Sequence, residues 1–422
     1  MNSLQNWKRR LVFWFGAFAV GSVASIFALA SNFAQDVFQK SLAISPYLPI
    51  IITPVGLALS VMLTRLFFPG AQGSGIPQTL AALEITDDDA RNKLLSPRIT
   101  IGKILLSLLG LLSGASIGRE GPTVQIGASI MHGLGRLANF PQHDLEKGLI
   151  LAGGAAGISA AFNTPLAGVV FAIEEMSRSF EHSTSGTILI TVILAGVASL
   201  DILGNYAYFG HSSVTLDLGK GWLAIVLCGV AGGVLGGLFS RILIATSNGL
   251  PGKLGILMKK NPVAFAALCG VVLAILGIAS GSTIYGTGYA EARGILNGTQ
   301  VTVGYGFFKM AATLVSYLSG IPGGIFSPSI SVGAGLGALI ATVLPNVPLS
   351  AVTILGMVAY FSGVVQAPIT AFVIVMEMTD NHNMILPLMS AAFIANAISK
   401  RICPSPLYYT LAQRFMPIRS VQ

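Results

Sequence analysis

Long apolar runs alternate along the chain with short polar interruptions, and the runs set its class before any motif is considered. Leu11–Ala30, Tyr47–Phe68, Trp222–Ala245 and Pro262–Ser280 each approach the roughly 20 residues an α-helix needs to cross hydrocarbon. Polar punctuation falls at Glu84–Arg98, Pro141–Lys147, Ser177–Ser185, Gly204–Lys220, Ser247–Asn261, Tyr285–Thr302 and Thr379–Asn383. Between these lie further apolar stretches, several of them short and broken by glycine or proline. None of the runs alternates in the way a membrane β-barrel requires, so the pattern predicts an all-α membrane protein. Interrupted helices at membrane depth are tolerated only where protein or a water-filled cavity satisfies the freed backbone groups, which points to a transporter or channel core.

The pattern also repeats. Lys103–Ser129 lies over Lys309–Gly335 without a gap at an offset of 206, with identities at Ser113/Ser319, Gly114/Gly320, Gly118/Gly324, Pro122/Pro328 and Gly127/Gly333 among others. A second block, Leu151–Glu175 over Ile354–Met378, runs at an offset of 203 and matches Gly153/Gly356, Pro165/Pro368 and Glu174/Glu377. Internal repeats with interruptions at corresponding positions place a transport site between the repeats near the midplane. The residues alone leave open whether the repeats are parallel or inverted.

Composition agrees with the runs: 53% of residues are hydrophobic and only 9% charged, against roughly 25% charged in a soluble domain. Lys8-Arg9-Arg10 precede an apolar run longer than a signal-peptide core, so this reads as a first membrane helix with a cytoplasmic N-terminus. Arg414 and Arg419 place the C-terminal tail on the same side. The net charge of +8 reads as loop cations that set topology, and nothing resembles a nucleic-acid patch. Cys228, Cys269 and Cys403 read as inert thiols, and the five histidines are scattered, so neither a metal nor a cofactor is expected.

Three glycine motifs share one design: Gly73-Ser74-Gly75-Ile76-Pro77, Gly118-Arg119-Glu120-Gly121-Pro122 and Gly323-Gly324-Ile325-Phe326-Ser327-Pro328. In each, glycine frees the backbone and proline suits the first turn of a helix. Each predicts a helix N-terminus in apolar surroundings, where unpaired N–H groups and the helix dipole favour an anion. The repeat separates scaffold from function, because Arg119-Glu120 align with Ile325-Phe326. The turn can therefore be made without the charged pair, which costs about 2.5–3.5 kcal/mol per residue on insertion scales. Either the two charges neutralise each other, or the Glu120 carboxylate competes with a transported anion and leaves when protonated. Glu174 matches Glu377 and reads as structural, accepting helix N–H bonds. Glu175 matches Met378, and is either a proton relay or a helix-end glutamate facing water. Lys103 and Lys309, also repeat-related, either snorkel to an interface or raise the potential felt by an anion.

At these motifs, with Pro406-Leu407-Tyr408 near the C-terminus, the sequence resembles the CLC chloride channel and transporter family over nearly its whole length. The resemblance implies a homodimer with one pore per subunit and about eighteen helical segments each. It also implies two halves in inverted topology, 1–220 and 221–422. Ser74 and Tyr408 match residues offering hydroxyls to the central anion, the amides of Ile325 and Phe326 also contact it, and Gly121 joins the set through its motif. Glu120 matches the gating glutamate, Glu175 the internal proton glutamate of the exchanger branch, and Lys103 a basic position of the family motifs. Gln78 stands where relatives often carry Glu, beyond the anion ligands. Ser74 is the residue expected for chloride rather than nitrate. The chain ends soon after Tyr408, which favours a bacterial-type core without cytoplasmic regulatory domains, in the inner (plasma) membrane. The function implied is secondary active exchange of chloride for protons, with a passive chloride channel on the same scaffold as the alternative. An intramembrane enzyme is disfavoured, since Ser74 has no matching histidine in the apolar segments.

Overall fold

The computed structural model describes residues 3–138, 143–177, 182–204, 207–299 and 301–416; parts of the polar stretches expected at 141–147, 177–185 and 204–220, and Arg419, lie outside the described residues. The described backbone is helical. The first half supplies α1 (Ser3–Ile44), α2 (Pro49–Phe67), α3 (Ile76–Glu84), α4 (Asp88–Asn92), α5 (Pro97–Leu112), α6 (Glu120–Leu137), α7 (His143–Phe162), α8 (Pro165–Phe171) and α9 (His182–Leu203). The second half supplies α10 (Leu218–Ser247), α11 (Gly252–Lys260), α12 (Pro262–Ala279), α13 (Tyr289–Leu296), α14 (Tyr305–Leu318), α15 (Phe326–Ala341), α16 (Leu349–Val365), α17 (Pro368–Thr379) and α18 (Ile385–Ile402), and α19 (Leu407–Ala412) follows.

Apart from α4 and α11, the halves pair helix for helix, and their packing partners match. α1 packs on α7 and α9 as α10 packs on α16 and α18; α6 lies on α7 as α15 lies on α16; α2 meets α5 as α12 meets α14. Repeat mates touch one another at α2–α12, α6–α15 and α8–α17. Among the described residues, six helical stretches are long and apolar enough to span a bilayer, four of them coinciding with most of the four runs above. The protein is an integral membrane protein. Its first helix is 42 residues, ~63 Å at 1.5 Å per residue, about twice the roughly 30 Å of hydrocarbon. The expected span is therefore only its middle, and the helix tilts or extends beyond the core.

Two carboxylates show that the repeats are inverted. Glu174, just past the C-terminal end of α8, accepts from the Ile369 and Thr370 amides (3.1 and 2.6 Å) in the first turn of α17. Glu377, near the C-terminal end of α17, accepts from the Leu166 and Ala167 amides (3.1 and 2.7 Å) in the first turn of α8. Each helix thus ends where its mate begins, so the two run antiparallel. The structural role read for Glu174 is the one it has.

Small residues set the close approach around this core. A Cβ on Gly127 would lie 2.2 Å from the Gly153 carbonyl, and one on Gly333 would lie 2.5 Å from that of the repeat-related Gly356. Backbone contact of this kind replaces the hydrophobic drive that is missing between helices in lipid.

Candidate anion site at the repeat axis

Some helix starts are capped from within their own half and others from across the repeat. α5, α10 and α12 are capped by their own Ser96, Asp217 and Asn261. α6, α8, α15 and α17 have no side-chain cap of their own. For three of them the other half supplies a carboxylate: Glu377 for α8, Glu174 for α17 and Glu120 for α15. The Glu120 carboxylate accepts from the Ser327 hydroxyl and, at 3.4 Å, from the Ser327 amide. By symmetry α6 would be capped from position 326, where the side chain is a phenyl ring. The start of α6 therefore keeps the field of an N-terminus without a carboxylate from the other half.

Both helix starts spring from one point. Gly118 and Gly324, repeat mates, exchange two N–H···O bonds of 2.7 Å in an antiparallel pairing. Gly73 pairs in turn with the stretch just ahead, its N–H donating to Ile321 (3.1 Å) and its carbonyl accepting from Gly323 (3.0 Å). Gly121 lies where the three motifs meet: a Cβ there would fall 2.3 Å from Ser74 Oγ and 3.3 Å from Gly324 Cα. The three predicted N-termini do converge, at Ile76, Glu120 and Phe326.

Around this point Phe326 is ringed by Phe361 (4.7 Å between centroids), Tyr408 (5.8 Å) and Phe171 (6.0 Å). Tyr408 comes from α19, which has no repeat mate and packs against α3, α10 and α16. Its hydroxyl lies beside Ser74 and within electrostatic reach of Glu120 and Glu175. The hydroxyls of Ser74 and Tyr408 are both buried and lie beside one another, and neither makes a hydrogen bond to any third group among the described residues. Ile325 is buried as the residue preceding α15. Ser74, Glu120, Gly121, Ile325, Phe326 and Tyr408 are thus brought together.

Of the alternatives left open by the sequence, geometry decides those of Glu175 and the lysines. Arg119 and Glu120 lie within electrostatic reach of each other, although they hydrogen-bond to separate groups: the guanidinium donates to the Ala28 carbonyl and Asn32 Oδ1, both at 2.9 Å, and lies 5.5 Å from the Tyr208 ring. It lines a cavity of about 230 Å³ with Asn32, Tyr208 and Tyr289. Glu175 does not face water; it is 4% exposed, in a π-helical turn (Ala172–Ser177) that continues α8. Such turns recur at functional sites. Lys103 and Lys309 do not snorkel. Both are fully buried, Lys103 Nζ donating to the Gly73 carbonyl (3.0 Å) and Lys309 Nζ to those of Ile284 and Gly286 (both 2.8 Å).

The lysines expose a match that the sequence reading missed. Gly286-Thr287-Gly288-Tyr289 stands to Lys309 and α13 as Gly73-Ser74-Gly75-Ile76 stands to Lys103 and α3. Its glycines take the same left-handed φ, 64° and 77° beside 66° and 103°. Thr287, the mate of Ser74, has its N–H and hydroxyl satisfied at 2.9 and 3.0 Å by the side-chain carbonyl of Gln35. The same loop is built twice; one copy is filled by the protein's own oxygen, and the other presents the Ser74 hydroxyl beside that of Tyr408. Gln78, set aside in the sequence reading, braces that second copy. It accepts from the Gly75 amide (3.1 Å) and donates to the Gln72 carbonyl, which a glutamate could not do.

The family described as "Voltage gated chloride channel" matches residues 55–400. The chain is 31% identical to the H(+)/Cl(-) exchange transporter ClcA of Citrobacter koseri, across 97% of this chain and 90% of that one. It is 30% identical to the ClcA of Salmonella typhimurium over the same shares. Among solved structures, a slow cyanobacterial Cl-/H+ antiporter superposes with a TM-score of 0.79 at 28% identity, covering 96% of this chain and 97% of the other. The fold is also that of a CLC-type fluoride/proton antiporter, with a TM-score of 0.80 at 22% identity over 97% and 99% of the two chains.

Proposed function

Because the chain belongs to the voltage-gated chloride channel family, we propose that it is a secondary active transporter exchanging chloride for protons. The observation that carries this reading is the unequal pair of loops: Thr287 is satisfied by Gln35, whereas Ser74 brings its buried hydroxyl against Gly121 at the start of α6 with only the Tyr408 hydroxyl beside it. A halide fits that environment, since it asks for N–H and O–H donors and no full positive charge beside it. The anion is held by Ser74 and Tyr408, by the amides of Ile325 and Phe326, and against Gly121, which has no side chain to block it.

Glu120 is the gate. Its carboxylate already caps a helix start at the same junction, so it and the anion compete for one set of dipoles. Protonation removes its charge, releases it from the α15 terminus and leaves the terminus to chloride. Glu175, buried and within electrostatic reach of Tyr408, receives the proton and completes its path. The chain works as a homodimer with one pore per subunit in a bacterial plasma membrane, each pore built between the two halves, which divide ahead of α10 rather than at 220. Purified protein in sealed vesicles under a chloride gradient should drive protons against their own gradient. Chloride flux without proton movement would replace this reading with that of a passive channel.

A further inference from the structure

The helix that carries Glu120 at its start carries, at its other end, one wall of a groove that the transport site does not use. The groove runs between α5 and α6 and holds about 620 Å³, within the roughly 300–1,000 Å³ of small-molecule sites. Ile101, Leu134 and Leu137 form its walls and Gly133 its floor, with Arg136 at the end. Leu137 is 83% exposed and Ile101 53%, so the groove opens on an apolar outer face. A Cβ on Gly133 would meet nothing within 4 Å, so the floor is open. Two polar features break the apolar lining. Ser129 is 2% exposed and its hydroxyl has no partner among the described residues. Arg136, exposed in the last turn of α6, spends one N–H on Asn92 Oδ1 at 2.6 Å and has further donors to offer.

An apolar trough with an open floor, a hydroxyl along it and a guanidinium at its mouth has the chemistry of one class of occupant. The geometry points to a seat for a single anionic phospholipid: its phosphate at Arg136, its glycerol backbone over Gly133, an ester oxygen toward Ser129 and an acyl chain running on along the groove beyond it. Charge complementarity selects the anionic headgroup, because a cation at an anionic leaflet binds it where a zwitterion gains little. Occupancy bears on transport by position. Asn92 of α4 also meets His132 of α6 at 3.1 Å, so a phosphate at Arg136 would tie α4, the end of α6 and the leaflet into one unit, leaving the Glu120 end of the helix referenced to the membrane.

The test uses full-length protein in phosphatidylcholine vesicles carrying a trace of phosphatidylglycerol with a photoreactive acyl chain. After illumination and digestion, label should concentrate in residues 97–101 and 129–137. Unlabelled phosphatidylglycerol should displace it better than phosphatidylcholine does. Arg136→Gln should cut that headgroup preference about fivefold, the contribution of one cation near an anionic surface, while labelling persists. Gly133→Phe, whose Cβ would meet nothing within 4 Å, puts a ring into the groove and should abolish labelling of both segments. Even labelling around the protein, or an unchanged headgroup preference in Arg136→Gln, overturns the assignment. So does loss of self-association rather than of lipid labelling in Gly133→Phe, which would make the groove a contact between copies. If Gly133→Phe does not fold, the Arg136→Gln comparison decides alone.

Discussion

At the scale of single residues, the site is a set of departures from symmetry. Glu120 and Phe326 occupy equivalent positions, as do Glu175 and Met378, and in each pair one half keeps the carboxylate and the other replaces it. Under the exchange reading the two glutamates divide the labour, and their amides should separate it. Glu175→Gln should leave chloride flux in place and abolish proton movement in the vesicle assay. Glu120→Gln should also abolish proton movement and, in addition, remove the pH dependence of chloride flux, because a neutral amide no longer alternates with the anion. Proton pumping at the normal rate in either variant would strip that residue of its role. Most of these residues were legible in advance, since a buried charge that breaks an internal repeat announces itself. Thr287 was not. Its motif lies at an offset of 213 from Gly73 while the neighbouring lysines differ by 206, and a gapless alignment passes over it. Gln78 hydrogen-bonds the backbone of its own loop, a role that no side-chain motif records.

Helices raise a different matter, namely how a start or an end is satisfied where there is no water. The exchange of carboxylates between α8 and α17 answers it, each helix capped by the last turn of the other. Hydrogen bonds to a charged acceptor contribute roughly 1.5–3 kcal/mol, and Glu174 and Glu377 each make two. Replacing either by Ala should lower the unfolding temperature in detergent markedly, with similar effects for the two because their environments mirror each other. A large effect from one and none from the other would contradict the mirrored capping. Equal glutamates in aligned blocks signalled this pairing, but periodicity could not show the π turn at Glu175. That turn depends on which backbone group skips its usual partner, and Ala172–Ser177 read as ordinary helix in sequence. Nor did the apolar run at the N-terminus reveal a helix of 42 residues, because hydropathy reports the stretch in lipid and is blind to a helix that continues past it.

For the molecule as a whole, the existence of a repeat was plain from the residues, whereas its handedness was not. A sequence aligned to itself reads the same for parallel and inverted copies; only contacts such as those of Glu174 and Glu377 tell them apart. If each subunit of a homodimer holds a complete pore, a tandem fusion of one unmodified copy to one Glu120→Gln copy should retain about half the proton flux per protein of an unmodified tandem. Complete loss would mean that the two pores share their proton path.

The pairing of Gly118 with Gly324 has a consequence for how such a molecule can arise. A residue on the pseudo-twofold faces its own copy, so an ancestor made of two separate identical half-chains would have offered the junction either two facing glutamates or two phenylalanines. The first places like charges together in a low-dielectric pocket, and the second leaves nothing there to accept a proton. Once the two halves have sequences of their own, positions 120 and 326 are free to differ, while the glycines beside them, each obliged to fit the other, are held alike.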